Sequence, residues 1–281
     1  YIHFANDFFF MTLAPSLFFL RCPIVFRLGD VPNIRFFLEK WLWKKLIIKK
    51  TTHFVCISKF IAGTLQAISP NINKFSIINN IPTDRKVQCE ESLPVSDPNV
   101  FTVLYVGQIS KIKGVDLLYD AAIQLLKSEL NVRFIFAGQL FQSTLYTEIS
   151  ESQDYETFKS KIVFTDRIQN VSHLYSISDI LVVPSVVEEA LSNVVGEAKL
   201  AGCPAIVFPS GGLPELINHN LDGYICKNKS TDELIFAISQ YYYSPSMLQA
   251  HRENALSSIK KLGLTHEIFS NKWMSIYSQT I

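Results

Sequence analysis

The stretch VVPSVVEEALSNVVGEAKLAGCPAIVFPSGGLPELI, residues 182–217, concentrates the residues able to do chemistry. An apolar strand ends at Pro184, a short loop carries Glu188 and Glu189, and Ser192 or Asn193 is placed to cap the next helix. Glu197 falls in the first turns of that helix. The unpaired N–H groups and positive dipole end of a helix start favour an anion such as phosphate. Carboxylates repel phosphate, so Glu189 and Glu197 suit hydroxyl-rich groups on either side of it, a ribose and a sugar. Glu188 reads as an exposed neighbour of Glu189. A Gly-rich loop, SGGLPE at 210–215, follows the next strand, and there Gly211 and Gly212 let backbone approach a ligand closely. The spacing of Glu189 and Glu197 says nothing alone, because Glu148 and Glu156 repeat it in a chain with 14 Glu. The order of features is what carries information.

These residues need a parallel α/β scaffold, and the sequence predicts one. FTVLYV (101–106), VRFIFA (132–137), KIVFT (161–165), DILVVP (179–184) and AIVF (205–208) read as buried strands. VDLLYDAAIQLLKSEL (115–130), NVVGEAKLAG (193–202) and TDELIFAISQYYY (231–243) read as helices between or after them. Near-continuous apolar strands alternating with helices imply a parallel sheet covered on both faces, with ligands at the carboxyl ends of its strands. Upstream, PIVFRL (23–28), HFVCIS (53–58) and KFSIINN (74–80) supply strands, and RFFLEKWLWKKLIIKK (35–50) a helix. VQCEESLPVSDPN (87–99), polar and with two prolines, reads as a linker.

The ordered block 182–217 resembles the retaining glycosyltransferases of family 4, which have the GT-B fold. The matching residues are Pro184, Ser185, Glu189, Glu197, Ala198, Gly202, Pro204, Gly211, Gly212 and Glu215. VGQISKIKGVDLLYDAA (106–122), CIS (56–58), IINN (77–80) and KWMSIYSQ (272–279) are similar to further blocks of that family. The resemblance implies two Rossmann-like doubly wound domains. An incomplete first domain with linker would span 1–97, a nucleotide-sugar-binding domain 98–245, and helices returning to the first domain 246–281. It implies that Glu189 contacts the donor sugar as the catalytic carboxylate and that Glu197 holds the nucleotide ribose. Leu191, Ser192 and Asn193 would offer N–H groups to the diphosphate, Lys113 would neutralise it, and Gly211 and Gly212 would border the donor. The donor would be a UDP or GDP sugar, with no cofactor and no metal. The acceptor would be a sugar or a lipid-linked glycan. Two positions depart from the family: Gln108 stands where it usually has Arg, and Gly29, followed by Asp30, where it often has His.

Composition narrows the alternatives. The chain has 281 residues, is 48% hydrophobic, and carries a net charge of +1, which leaves no overall field for nucleic acid. Residues 1–100 hold 12 Lys and Arg against 7 Asp and Glu, while the rest holds 14 against 18, so the halves differ in sign. Five Cys form no CxxC pair and no even framework, and six His have no shared ligand spacing, which fits a cytoplasmic setting without a zinc ribbon or disulfide scaffold. Phe8–Leu20 is too short and too interrupted to span a membrane. No strand is followed by GxGxxG, which argues against a dinucleotide-dependent dehydrogenase. Helix 35–50 sets six Lys and Arg beside Trp41 and Trp43. It suits either an anionic membrane surface at the inner face or packing inside the first domain. The start at Tyr1, with no Gly-rich loop in 1–86, predicts an N-terminally truncated first domain and a chain that is an inactive fragment. Gln108 and Gly29 also fit a degenerate nucleotide-sugar-binding protein without turnover.

Overall fold

The computed structural model describes residues 2–4, 22–32, 34, 36–82, 97, 99–168 and 171–280. The apolar run Phe8–Leu20, Arg35 and most of the linker 87–99 lie outside the described residues. The chain divides into two units, Tyr1–Ile81 with Glu189–Leu191 and Gly263–Ile281, and Pro82–Glu188 with Ser192–Leu262.

The first unit is built on a parallel sheet of β1 (Ile2–Phe4), β2 (Ile24–Leu28), β3 (His53–Cys56) and β4 (Phe75–Ile77), in that order. Successive side chains alternate faces along a strand. Phe26 and Phe54 therefore meet Trp43 and Ile47 on one face, while Val25 and Val55 meet Trp273 and Ile276 on the other. Trp43 and Ile47 come from α1, which runs as α-helix over Phe37–Leu42, π-helix over Trp43–Ile47 and α-helix again over Ile48–Lys50. Ser58 caps α2 (Lys59–Ile68), its hydroxyl accepting from Ile61 N–H at 3.1 Å. Trp273 and Ile276 belong to α10 (His266–Thr280).

The second unit holds the strands and helices expected of 101–243. Its strands are β5 (Phe101–Val106), β6 (Val132–Ala137), β7 (Ile162–Thr165), β8 (Ile180–Val183), β9 (Ala205–Val207) and β10 (Gly223–Ile225). They form one parallel sheet in the order β10-β9-β8-β5-β6-β7. This is the doubly wound Rossmann order, and it reverses direction between β5 and β8. Val115, Leu118, Ala122, Leu125 and Leu126 of α3 (Val115–Lys127) are buried, as their helical spacing requires. Short α4 (Thr144–Ser150) and α5 (Gln153–Phe158) precede β7, and α6 (Ser172–Ile177) precedes β8. α7 (Asn193–Leu200), α8 (Thr231–Tyr243) and α9 (Pro245–Lys261) complete the unit.

A buried ion pair fixes the back of α7. Lys199 Nζ lies 2.8 Å from Asp222 Oδ2, with side chains 0% and 1% exposed. Lys199 also donates to Ser258 of α9 at 3.2 Å. The backbone N–H and side-chain amide of Asn218 donate to Asp222 at 2.9 and 2.6 Å. Burial pushes the Lys199 ammonium below its ordinary pKa, opposed by its hydrogen bond to Asp222.

Candidate functional site

Ligands of doubly wound sheets sit outside the carboxyl ends of the strands at the point of reversal, here the loops after β5 and β8. Two glycines let these loops close up. Gly114, at φ 69°, packs against Pro184, whose carbonyl oxygen would lie 1.9 Å from any added Cβ. A Cβ on Gly138, after β6, would come within 1.8 Å of the Gly107 carbonyl oxygen. The contact is then stitched: Val186 and Val187 N–H both donate to Ile112 O, at 3.1 and 3.2 Å. Lys113, half-buried, ends the 3₁₀ turn Lys111–Lys113 in this seam. Ser210 Oγ donates to Ser185 O and ties the loop after β9 to the loop after β8.

α7 starts at this edge. Ser192 has the extended backbone of an N-cap, but its hydroxyl makes no capping bond, and Asn193 is the first helical residue. The helix therefore starts without a capping bond from the Ser192 hydroxyl, and its positive dipole end favours an anion. One turn on, Glu197 accepts a hydrogen bond from the Tyr175 hydroxyl of α6 at 3.1 Å. Tyr175 is 1% exposed. Burial, then the Glu197 charge, hold its pKa well above the ordinary phenol value, so it stays a donor.

A cavity of about 890 Å³ opens on the β6 and β7 side of the reversal point, lined by Gln108, Ile109, Gln139, Phe141, Ser143 and Arg167 among others. Asp166 joins two of its loops, accepting from Leu140 N–H at 3.2 Å and Arg167 N–H at 2.7 Å. Gln108, exposed, borders it, and its carbonyl accepts from the Tyr105 hydroxyl at 2.7 Å.

The sequence-predicted residues thus fall into two groups. Gln108, Lys113, Ser192, Asn193, Glu197, Gly211 and Gly212 belong to the second unit. Glu189 and Leu191 belong to the first, where Ala190 and Leu191 pack against its core. Three residues gain roles the sequence did not signal. Tyr175, between the strands predicted at 161–165 and 179–184, is not among the residues singled out from the sequence. Glu188 is exposed as expected, yet its carboxylate accepts from Gly211 N–H and from Lys229 Nζ, the latter at 2.9 Å. The Lys229 hydrogen bond holds Glu188 below the usual carboxylate range. Lys229 also donates to Val186 O at 2.8 Å, so it fastens the loop leading to α7. Burial pushes the Cys203 and Cys226 thiols up to about 12, which removes them as thiolate nucleophiles near neutral pH. Among the described residues no group of three His, Cys, Asp or Glu is placed to hold a metal ion.

Known proteins resemble this chain in sequence and in fold. Residues 91–258 match the family model described as glycosyl transferases group 1, which covers more than half of the chain. Spore coat protein SA of Bacillus subtilis is 33% identical over 132 residues, 44% of this chain and 34% of that protein. The lipopolysaccharide 1,2-N-acetylglucosaminetransferase of Salmonella typhimurium is 32% identical over 146 residues, 49% of this chain and 38% of that protein. The chain spans less than half the length of these curated relatives. Among solved structures, Anabaena Alr3699/HepE in complex with UDP superposes with a TM-score of 0.82 at 18% identity, over 99% of this chain and 79% of that one. A glycosyltransferase from Rickettsia africae gives 0.82 at 18% identity, over 99% and 76%. The fold is α/β with parallel sheets, of the GT-B class. The family match runs from before β5 into α9, and this chain belongs to the glycosyl transferases group 1.

Proposed function

We propose that the second unit binds the nucleoside diphosphate of a nucleotide sugar, and that the protein transfers the sugar to an acceptor hydroxyl with retained anomeric configuration, as in family 4. The observation that carries this reading is the placement of α7, whose N-terminal end follows β8 at the point of strand reversal. In this reading the diphosphate lies against Ser192 and Asn193, and Lys113 supplies positive charge. The ribose meets Glu197 and the base enters the cavity lined by Gln139, Phe141 and Arg167. When the bond from the anomeric carbon to the diphosphate breaks, charge grows on the leaving phosphate, and the helix start with Lys113 stabilises it. Glu189 is the carboxylate that orients the donor sugar and faces the positive charge at its anomeric carbon. A UDP or GDP sugar is the donor. The crystallised Anabaena protein holds UDP, and in another structure UDP-glucose. The acceptor is a glycan, a lipid-linked glycan or a polysaccharide.

Thermal-shift titration with UDP-, GDP- and ADP-sugars tests donor binding. A rise in melting temperature with one base class is expected, and no shift at millimolar donor would contradict the reading. Gln108 favours one rival, a binding protein without turnover, since it removes a cation from the diphosphate side. Slow hydrolysis of the bound donor to a sugar of retained configuration, read by proton NMR, separates the two. A bound donor that stays intact supports the rival.

Lys113→Ala is expected to weaken nucleoside diphosphate binding about 5- to 20-fold, less so as salt rises, and to leave the bare nucleoside nearly unaffected. Equal losses for nucleoside and diphosphate in calorimetry would make Lys113 structural.

The partner surface in the first unit is α1. Phe36, Phe37, Leu38 and Trp41 are exposed beside exposed Lys40, Lys44, Lys45 and Lys49, while Trp43 and Ile47 anchor the helix in the core. Large apolar side chains among lysines fit an anionic lipid surface, each lysine near the surface contributing about 1 kcal/mol. In this reading the protein is cytoplasmic and peripheral at the membrane's inner face. No helix among the described residues is long and apolar enough to cross a membrane. The chain is expected to co-sediment with phosphatidylglycerol vesicles and not with phosphatidylcholine vesicles. Changing Lys44, Lys45, Lys49 and Lys50 to Glu should abolish this. Vesicle binding that survives the change, or self-association through α1 without lipid, would overturn the assignment.

A further inference from the structure

The buried hydroxyl of Tyr175 has one role that packing does not explain. Tyr175 sits in the core of the second unit at 1% exposure, on α6. A buried phenol needs a partner for its O–H. It takes one from the edge where the ligand is expected, donating to Glu197 Oε2 at 3.1 Å, across 22 residues of sequence. A carboxylate offers roughly four acceptor positions. One bond from a rigid, fully packed ring restrains the rotation and rotamer of the carboxylate.

We propose that Tyr175 is a positioning residue that holds Glu197 in the orientation that accepts the ribose hydroxyls, and so sets the preference of the site for ribonucleotides. The proposal rests on the donor-site reading above, in which Glu197 meets the ribose. Without the phenolic O–H the Glu197 carboxylate loses one fixed hydrogen bond, and that share of its ordering falls to the ligand. The ring of Tyr175 is buried and acts on the ligand only through Glu197 in this proposal. Its effect appears only when the ligand has the 2′- and 3′-hydroxyls that Glu197 accepts. This separates positioning from plain stability, because a loosened core would weaken all nucleotides alike.

The test is calorimetric titration of the 281-residue chain with UDP and 2′,3′-dideoxy-UDP, and with the corresponding GDP pair in parallel. Wild type is expected to prefer the ribose form. Tyr175→Phe keeps the ring and is expected to lose about tenfold in affinity for the ribose form, with the dideoxy form changed less than twofold. In a Glu197→Gln background the same substitution should cost much less, since the two residues act as one unit. Thermal melting of each variant identifies a temperature at which it is folded, and the titrations of all variants are compared there by the same ratio. Equal losses for ribose and dideoxy forms, or no loss for either, would overturn the positioning role. Wild type that binds neither base pair would instead overturn the donor-site reading, and wild type that binds ribose and dideoxy forms equally would remove Glu197 from the ribose.

Discussion

Glu197→Gln is expected to lower nucleoside diphosphate affinity by about 10- to 150-fold, the loss of a charged hydrogen-bonding partner worth about 1.5–3 kcal/mol. The amide keeps the shape of the side chain, and its oxygen can still accept from the Tyr175 hydroxyl that now reaches Glu197 at 3.1 Å. What disappears is the full negative charge that the proposal sets opposite the ribose hydroxyls. The fold should survive, since Glu197 is only half-buried on α7. Calorimetry compares the two proteins, and an unchanged dissociation constant in folded Glu197→Gln would contradict the ribose assignment.

Asp222→Ala is expected to cost about 3–5 kcal/mol of folding stability. The substitution leaves the Lys199 ammonium 0% exposed with no carboxylate opposite it. A hydrogen bond to Ser258 at 3.2 Å does not neutralise that charge. Lys199→Met combined with Asp222→Asn removes both charges and should cost far less than Asp222→Ala alone, because the penalty lies in the unpaired buried ion. Urea unfolding followed by circular dichroism checks both. A loss below about 1 kcal/mol for Asp222→Ala would mean that water reaches the pair. The pair links the last turn of α7 to the turn before β10, at the end of the helix away from its start.

The main elements of the second unit were legible because their signals are long and strong. β5 and β6 fall on FTVLYV and VRFIFA with no change of boundary, and α8 on TDELIFAISQYYY. Short or weakly apolar elements were not. GYI of β10 is three residues bounded by Asp222, and it becomes a strand only by pairing with β9. PSMLQAHRENALSSIKK of α9 packs through His251, Ala255, Ser258 and Ile259, a buried stripe too polar to read as apolar periodicity. The first sheet was visible as three strands and has a fourth, β1, over Ile2–Phe4.

The ordered motif at 182–217 pointed to the family and to most of the candidate residues, because backbone geometry at a strand-to-helix turn leaves a local trace. Pairings over long sequence distances leave none. Tyr175 with Glu197, Lys229 with Glu188, and Lys199 with Asp222 are separated by 22, 41 and 23 residues. In the sequence each looks like a solvated charge or a core aromatic. The motif also reads as one continuous block, whereas Glu189–Leu191 group with the first unit and the residues on either side with the second.

The most direct test of the account is a crystal structure of this chain soaked with UDP and, separately, GDP. One of them is expected to bind with its diphosphate on the backbone N–H groups of Ser192 and Asn193. Lys113 should lie within reach of the phosphates, Glu197 should accept from the ribose hydroxyls, and the base should occupy the cavity beside Arg167. A nucleotide bound with its phosphates away from the start of α7, or no nucleotide at millimolar concentration, would contradict it.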